Sequence, residues 1–114
     1  MQSINRTAVV IKPKEPFVDW INSMPDDSSS YTLEQIDEDN LTFLIPQYDD
    51  PGNTKKYIKK NYEMIFKYEL WGLVTDKDFW PKKRNWKMFI KWFDIEINSE
   101  VFDLVNRDIE KEDL

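Results

Sequence analysis

The chain has 114 residues, of which 40% are hydrophobic and 15% aromatic, with 16 basic and 22 acidic side chains and a formal net charge of −6. A chain of this length and ring content supports one buried core, which argues against a second domain and against disorder. With no Cys and no His, disulfides, thiolate chemistry, Ser-His-Asp and Cys-His mechanisms and imidazole-based zinc sites are excluded together.

Charge is segregated along the chain. Residues 1–52 carry three basic and ten acidic side chains, residues 53–91 eleven and four, and residues 92–114 two and eight. The middle block also holds three of the five Trp.

The run Thr7 to Lys12 is β-branched and apolar on both alternating faces, which predicts a central strand covered on both sides. Phe17, Trp20, Ile21 and Met24 form a helical stripe, with Pro16 in the first turn and Pro25 as the stop. Asp26 to Ser30 reads as a solvated loop, and Thr32-x-x-Gln35 as a capping box on a single short turn. Leu41 to Tyr48 predicts a second strand that Pro46 confines to a sheet edge. Asp49 to Gly52 has turn composition. From about Asn53 a long helix follows, with Ile58, Tyr62, Ile65, Phe66, Leu70 and Leu73 at spacings of three and four and Gly72 near its end.

Thr75 to Arg84 is an aromatic-bearing connection, and Trp86, Phe89, Ile90 and Phe93 predict a third helix from about Asn85 to Phe93. Asp94 to Leu104 alternates until its phase slips at Val101, which a strand with a bulge near Ser99 would explain. The last ten residues are too charged to promise order. The expectation is a single domain over residues 1–114 of α+β or α/β class. It is a β-α-β-α-α-β sandwich of about three strands, the first one central, whose opening β-α-β unit is parallel and right-handed.

Two spots combine basic and aromatic residues. Lys55, Lys56, Lys59 and Lys60 open the long helix, and Lys82, Lys83 and Arg84 stand between Trp80 and Trp86. Such patches suit a protein partner of opposite sign or a nucleic-acid backbone with stacked bases. The net acidity of the chain weighs against nucleic acid. The lysines face the positive end of their helix dipole, so pairing with Asp49, Asp50 or the acidic tail is expected to compensate. A solvated lysine face and inward-packed tryptophans are the plain alternatives. Asp94 and Glu96, on one side of the last predicted strand, are candidates for carboxylate acid/base work or a Mg site. No G-x-G-x-x-G, P-loop or G-x-S-x-G pattern occurs, and no cofactor is expected.

Asn5-Arg6-Thr7-Ala8, Pro16-Phe17-x-Asp19-Trp20, Trp80-Pro81-x-x-Arg84 and Trp92-Phe93-Asp94 with Ser99, Val101, Asp103 and Leu104 resemble a group of short, acidic, uncharacterised bacterial proteins. The resemblance spans nearly the whole chain and implies a compact bacterial domain, with no activity, cofactor or site residue attached.

The leading expectation is a non-catalytic interaction or regulatory module, in one form an inhibitor or immunity-type protein that covers a basic target with acidic blocks. A carboxylate-dependent enzyme and a nucleic-acid binder are the alternatives. The expected partner is a protein, with the chain itself a monomer or homodimer. Ala8-Val9-Val10-Ile11 is too short for a signal-peptide core or a membrane span, so the cytoplasm is the expected location.

Overall fold

The computed structural model describes residues 1–25 and 30–114. In chain order the elements are β1 (Gln2–Ser3), β2 (Arg6–Pro13), α1 (Glu15–Asn22), α2 (Leu33–Ile36), β3 (Thr42–Pro46), α3 (Pro51–Trp71), a 3-10 turn (Lys77–Phe79), α4 (Trp86–Trp92), β4 (Phe93–Asn98) and β5 (Phe102–Asp103). The fold is a small α+β arrangement built on a three-stranded sheet of order β3-β2-β4, with β1 and β5 in a separate two-stranded ribbon.

As expected, the first long strand is central and the strand containing Pro46 lies at an edge. Two expectations about β2 fail. Thr7, Val9, Ile11 and Pro13 are buried while Arg6, Ala8, Val10 and Lys12 are only partly so, which gives the sheet one covered face. An antiparallel sheet tolerates an open face, and β2 is antiparallel to both neighbours, with Val9 opposite Phe43 and Ile97. The expected parallel β-α-β unit is therefore absent. A helix of eight residues such as α1 advances only about 12 Å, against about 26 Å for the eight residues of β2. The chain instead returns to β3 at the end of β2 that it left, where the Ile11 N–H donates to Leu41 O at 3.1 Å.

Helix α1 has Pro16 in its first turn and buries Phe17, Val18 and Ile21. The capping box of α2 forms in both directions: the Thr32 N–H donates to Gln35 Oε1 at 2.9 Å, and the Gln35 N–H to Thr32 Oγ1 at 3.2 Å. Of the loop expected at Asp26 to Ser30, only Ser30 lies within the described residues.

The turn expected at Asp49 to Gly52 is shortened because Asp50 caps α3, its Oδ1 accepting from the Gly52 N–H at 2.8 Å. Pro51 then supplies the preset φ of a first helical position. Gly72 follows the helix at φ −61°, so its placement uses no left-handed conformation. Helix α4 is capped by Asn85 and passes directly into β4. The bulge expected near Ser99 is instead a break, after which Phe102 pairs with Ser3 in the second ribbon. The phase slip in the sequence marks a change of partner strand.

The helices cover the Val9 and Ile11 face, where Phe17, Ile21, Ile45, Ile58, Phe66 and Leu70 join them in one cluster. Rings knit it together: Phe93 lies 4.8 Å from Phe17, 5.3 Å from Phe89 and 5.7 Å from Phe66 between centroids. Tilted and edge-on pairs of this kind add roughly 0.5–1.5 kcal/mol each beyond burial. From Leu104 to Leu114 every residue is exposed and none belongs to a helix or strand. No helix among the described residues is long and apolar enough to cross a membrane.

Candidate functional site

The 3.6-residue period of α3 gives it two sides with opposite chemistry. Lys56, Lys60, Lys67 and Trp71 fall on one side and are exposed. Ile58 and Ile65, on the other, are buried against the core. From Lys56 to Lys67 the outer side runs about 17 Å along the axis, and it ends in a groove of about 770 Å3.

That groove lies between α3 and the connection Thr75 to Arg84. Met64, Lys67, Tyr68 and Trp71 line it from the helix, Lys77, Lys82 and Arg84 from the connection, and Leu114 from the acidic segment 104–114. Trp80 also lines it but is 6% exposed, which corrects its placement among surface residues. Its indole N–H donates to Val74 O at 2.7 Å, and Lys77 Nζ and Arg84 Cζ each stand 5.9 Å from its ring centroid. Trp80 is thus a fixed support for two cations rather than an anchor for a partner.

Arg84 is held at two of its three guanidinium nitrogens. Its Nη1 donates to Pro81 O at 2.8 Å, its Nη2 lies 3.8 Å from Glu63 Oε1, and its buried Nε has no acceptor. Lys67 Nζ reaches the same Glu63 oxygen at 3.8 Å. One carboxylate therefore serves two cations at long range, leaving the groove positive.

The four lysines at the start of α3 do not share this groove. Lys55, Lys56, Lys59 and Lys60 are all exposed, and Lys59 Nζ sits 5.9 Å from the Trp86 ring centroid. Their expected pairing with Asp49, Asp50 or the tail is not formed among the described residues. The Asp50 cap supplies the negative charge at that helix end. Lys83 is exposed and is not among the groove residues.

Asp94 and Glu96 do share one side of β4, yet both are exposed and Asp94 Oδ1 pairs with Lys14 Nζ at 3.3 Å. Such solvated carboxylates lack the burial that separates an acid from a base. Among the described residues no group of three or more carboxylates is placed to hold a metal ion.

A carboxyl that the sequence reading passed over is the one with perturbed chemistry. Glu69 lies on the inner side of α3 and lines a cavity of about 670 Å3 together with Phe17, Tyr31, Ile36, Leu41 and Leu73. Its Oε1 is enclosed and has no hydrogen-bond partner, and burial raises the carboxyl to about 8. The sequence signal was available: Glu69 stands four residues after Ile65 and three after Phe66, a charge inside the apolar stripe. The groove was only half legible, since Lys67 and Trp71 continue the line of Lys60 at helical spacing but were not joined to Lys82 and Arg84.

Comparison of the chain with family models, with curated proteins and with solved structures gives no match, so any functional reading stands on these residues.

Proposed function

We propose that the protein is a non-catalytic interaction module whose groove between α3 and the Lys77–Arg84 connection takes an acidic protein segment with an apolar anchor residue. One observation carries this reading. Met64 and Trp71, 61% and 49% exposed, stand among Lys67, Lys77, Lys82 and Arg84 in a single concavity. Exposed large side chains supply desolvation on binding, and surrounding cations set the sign and speed of encounter. Trp80 and Arg84 are already held in place, so binding orders few additional groups. The alternative form, acidic blocks covering a basic target, rests on charge alone; of those blocks, residues 104–114 have no helix or strand to fix a surface.

Titration of labelled peptides, followed by anisotropy at about 50 mM and about 500 mM salt, tests the proposal. An Asp/Glu-rich peptide carrying Leu and Phe is expected to bind, to weaken with salt, and to lose about tenfold with Trp71→Ala or with Lys67→Glu and Lys82→Glu combined. Preference for a single-stranded oligonucleotide of equal charge would transfer the groove to nucleic-acid contact. Equal binding of a Lys-rich peptide would remove the proposal.

A further inference from the structure

Farther round α3 from that groove, and sharing Tyr68 with it, the cavity beside Glu69 has walls drawn from the end of β2, from α1, from α2 and its following loop, and from the last turns of α3. Phe17, Ile36, Leu41 and Leu73 make much of its surface apolar. A volume near 670 Å3 falls within the usual range for small-molecule sites. Its polar complement has one sign. The titratable groups lining it besides Glu69 are Glu38 and Asp39 from the loop after α2, Tyr31 ahead of α2 and Tyr68 from α3. No Lys or Arg is among its described lining residues, on a helix whose outer side is rich in lysine.

The geometry points to a binding site for a small alkylammonium ligand, its charged head paired with Glu69 and its hydrocarbon chain against Phe17, Leu41 and Leu73. The chemical class follows from what the cavity lacks. The enclosed Glu69 Oε1 has no donor, and an unmatched buried acceptor costs on the order of 1–3 kcal/mol. An anion entering here meets Glu38 and Asp39 as like charges. A neutral alcohol of the same hydrocarbon length gains the apolar contacts and offers at most one O–H donor, without a counter-charge. An ammonium gains the same contacts and also supplies N–H donors and the missing counter-charge.

A proton balance accompanies this binding. Held near 8 by burial, Glu69 is mostly protonated at neutral pH. Pairing with an ammonium favours its ionised form, so each bound cation displaces close to one proton to solvent. Apparent affinity therefore rises about tenfold per pH unit below 8 and levels off above it.

Calorimetry of the full chain with n-butylammonium chloride tests this, using butan-1-ol and sodium butyrate as controls at matched ionic strength. The expected result is binding of the amine alone, with release of nearly one proton per site at pH 7, read from buffers of different ionisation heat. Glu69→Gln is expected to lower amine affinity at least tenfold and to abolish its pH dependence. Equal affinity for butan-1-ol, unaltered binding in Glu69→Gln, or no binding at millimolar amine would overturn the assignment. Should Glu69→Gln fail to fold, proton release and pH dependence in the unsubstituted chain decide the matter. Acidic-peptide binding at the groove is a separate reading, and it is expected to be unchanged in Glu69→Gln.

Discussion

The two sides of α3 handle charge in contrasting ways. Outside, Lys56, Lys60 and Lys67 project into water, and a cation there does little to the fold because exposed pairs contribute at most about 1 kcal/mol. Inside, a single carboxyl stands in an apolar stripe and changes its proton affinity because burial strips it of water. A charge on the outer side is informative in number and sign, whereas a charge on the inner side is informative one residue at a time.

The largest expected contrast comes from truncating one residue on each side. Phe66 is fully buried between Phe89, Trp92 and Phe93, and Phe66→Ala should lower unfolding free energy by about 3–5 kcal/mol in urea titration. Met64→Ala, two residues earlier but 61% exposed, should change it by less than about 0.5 kcal/mol. Similar losses for both would erase the distinction.

Next is the pH dependence of Glu69→Gln. The folded carboxyl titrates near 8 and the unfolded one near 4.5, so between those values the folded state holds the additional proton. Stability therefore declines as pH rises from about 4.5 to 8 and is flat above that. Denaturation of Glu69→Gln should lack this decline and, at about pH 9, leave the variant more stable by roughly 2–4 kcal/mol. A parallel decline in both proteins would show that another group titrates.

A smaller change is expected at the helix start. Asp50→Ala removes both the cap to Gly52 and the negative charge ahead of the four lysines. A loss of about 1 kcal/mol in thermal or urea unfolding is expected. Smallest of all, Asp94→Asn breaks only the exposed pair with Lys14 and should shift stability by less than about 1 kcal/mol.

How far the sequence could be read follows from the range of the interactions involved. The capping box at Thr32 and Gln35, Pro16 in the first turn of α1 and the edge position of Pro46 are all set by a few adjacent residues, and each appears as expected. Strand direction is set by where a connection comes back, and an eight-residue α1 was too short for the parallel return expected of it. The slip at Val101 was visible but ambiguous, since a bulge and a change of sheet disturb the alternation alike. At the sites, Lys82 and Arg84 were identified as basic, but their neighbours Lys67 and Trp71 arrive from a different element. Asp94 and Glu96 drew notice by adjacency, while Glu69 carries the perturbed carboxyl because of three-dimensional enclosure.

The register of the main sheet has a consequence for how the chain is made. Residues of β2 pair with residues of β4 that lie 80 to 90 positions later, as Pro13 does with Phe93 and Ala8 with Asn98. During synthesis β2 keeps one of its edges unmatched until the residues of β4 have followed. Closure of the three-stranded sheet therefore waits on contacts of long sequence separation, which form slowly and leave an edge of β2 open in the meantime.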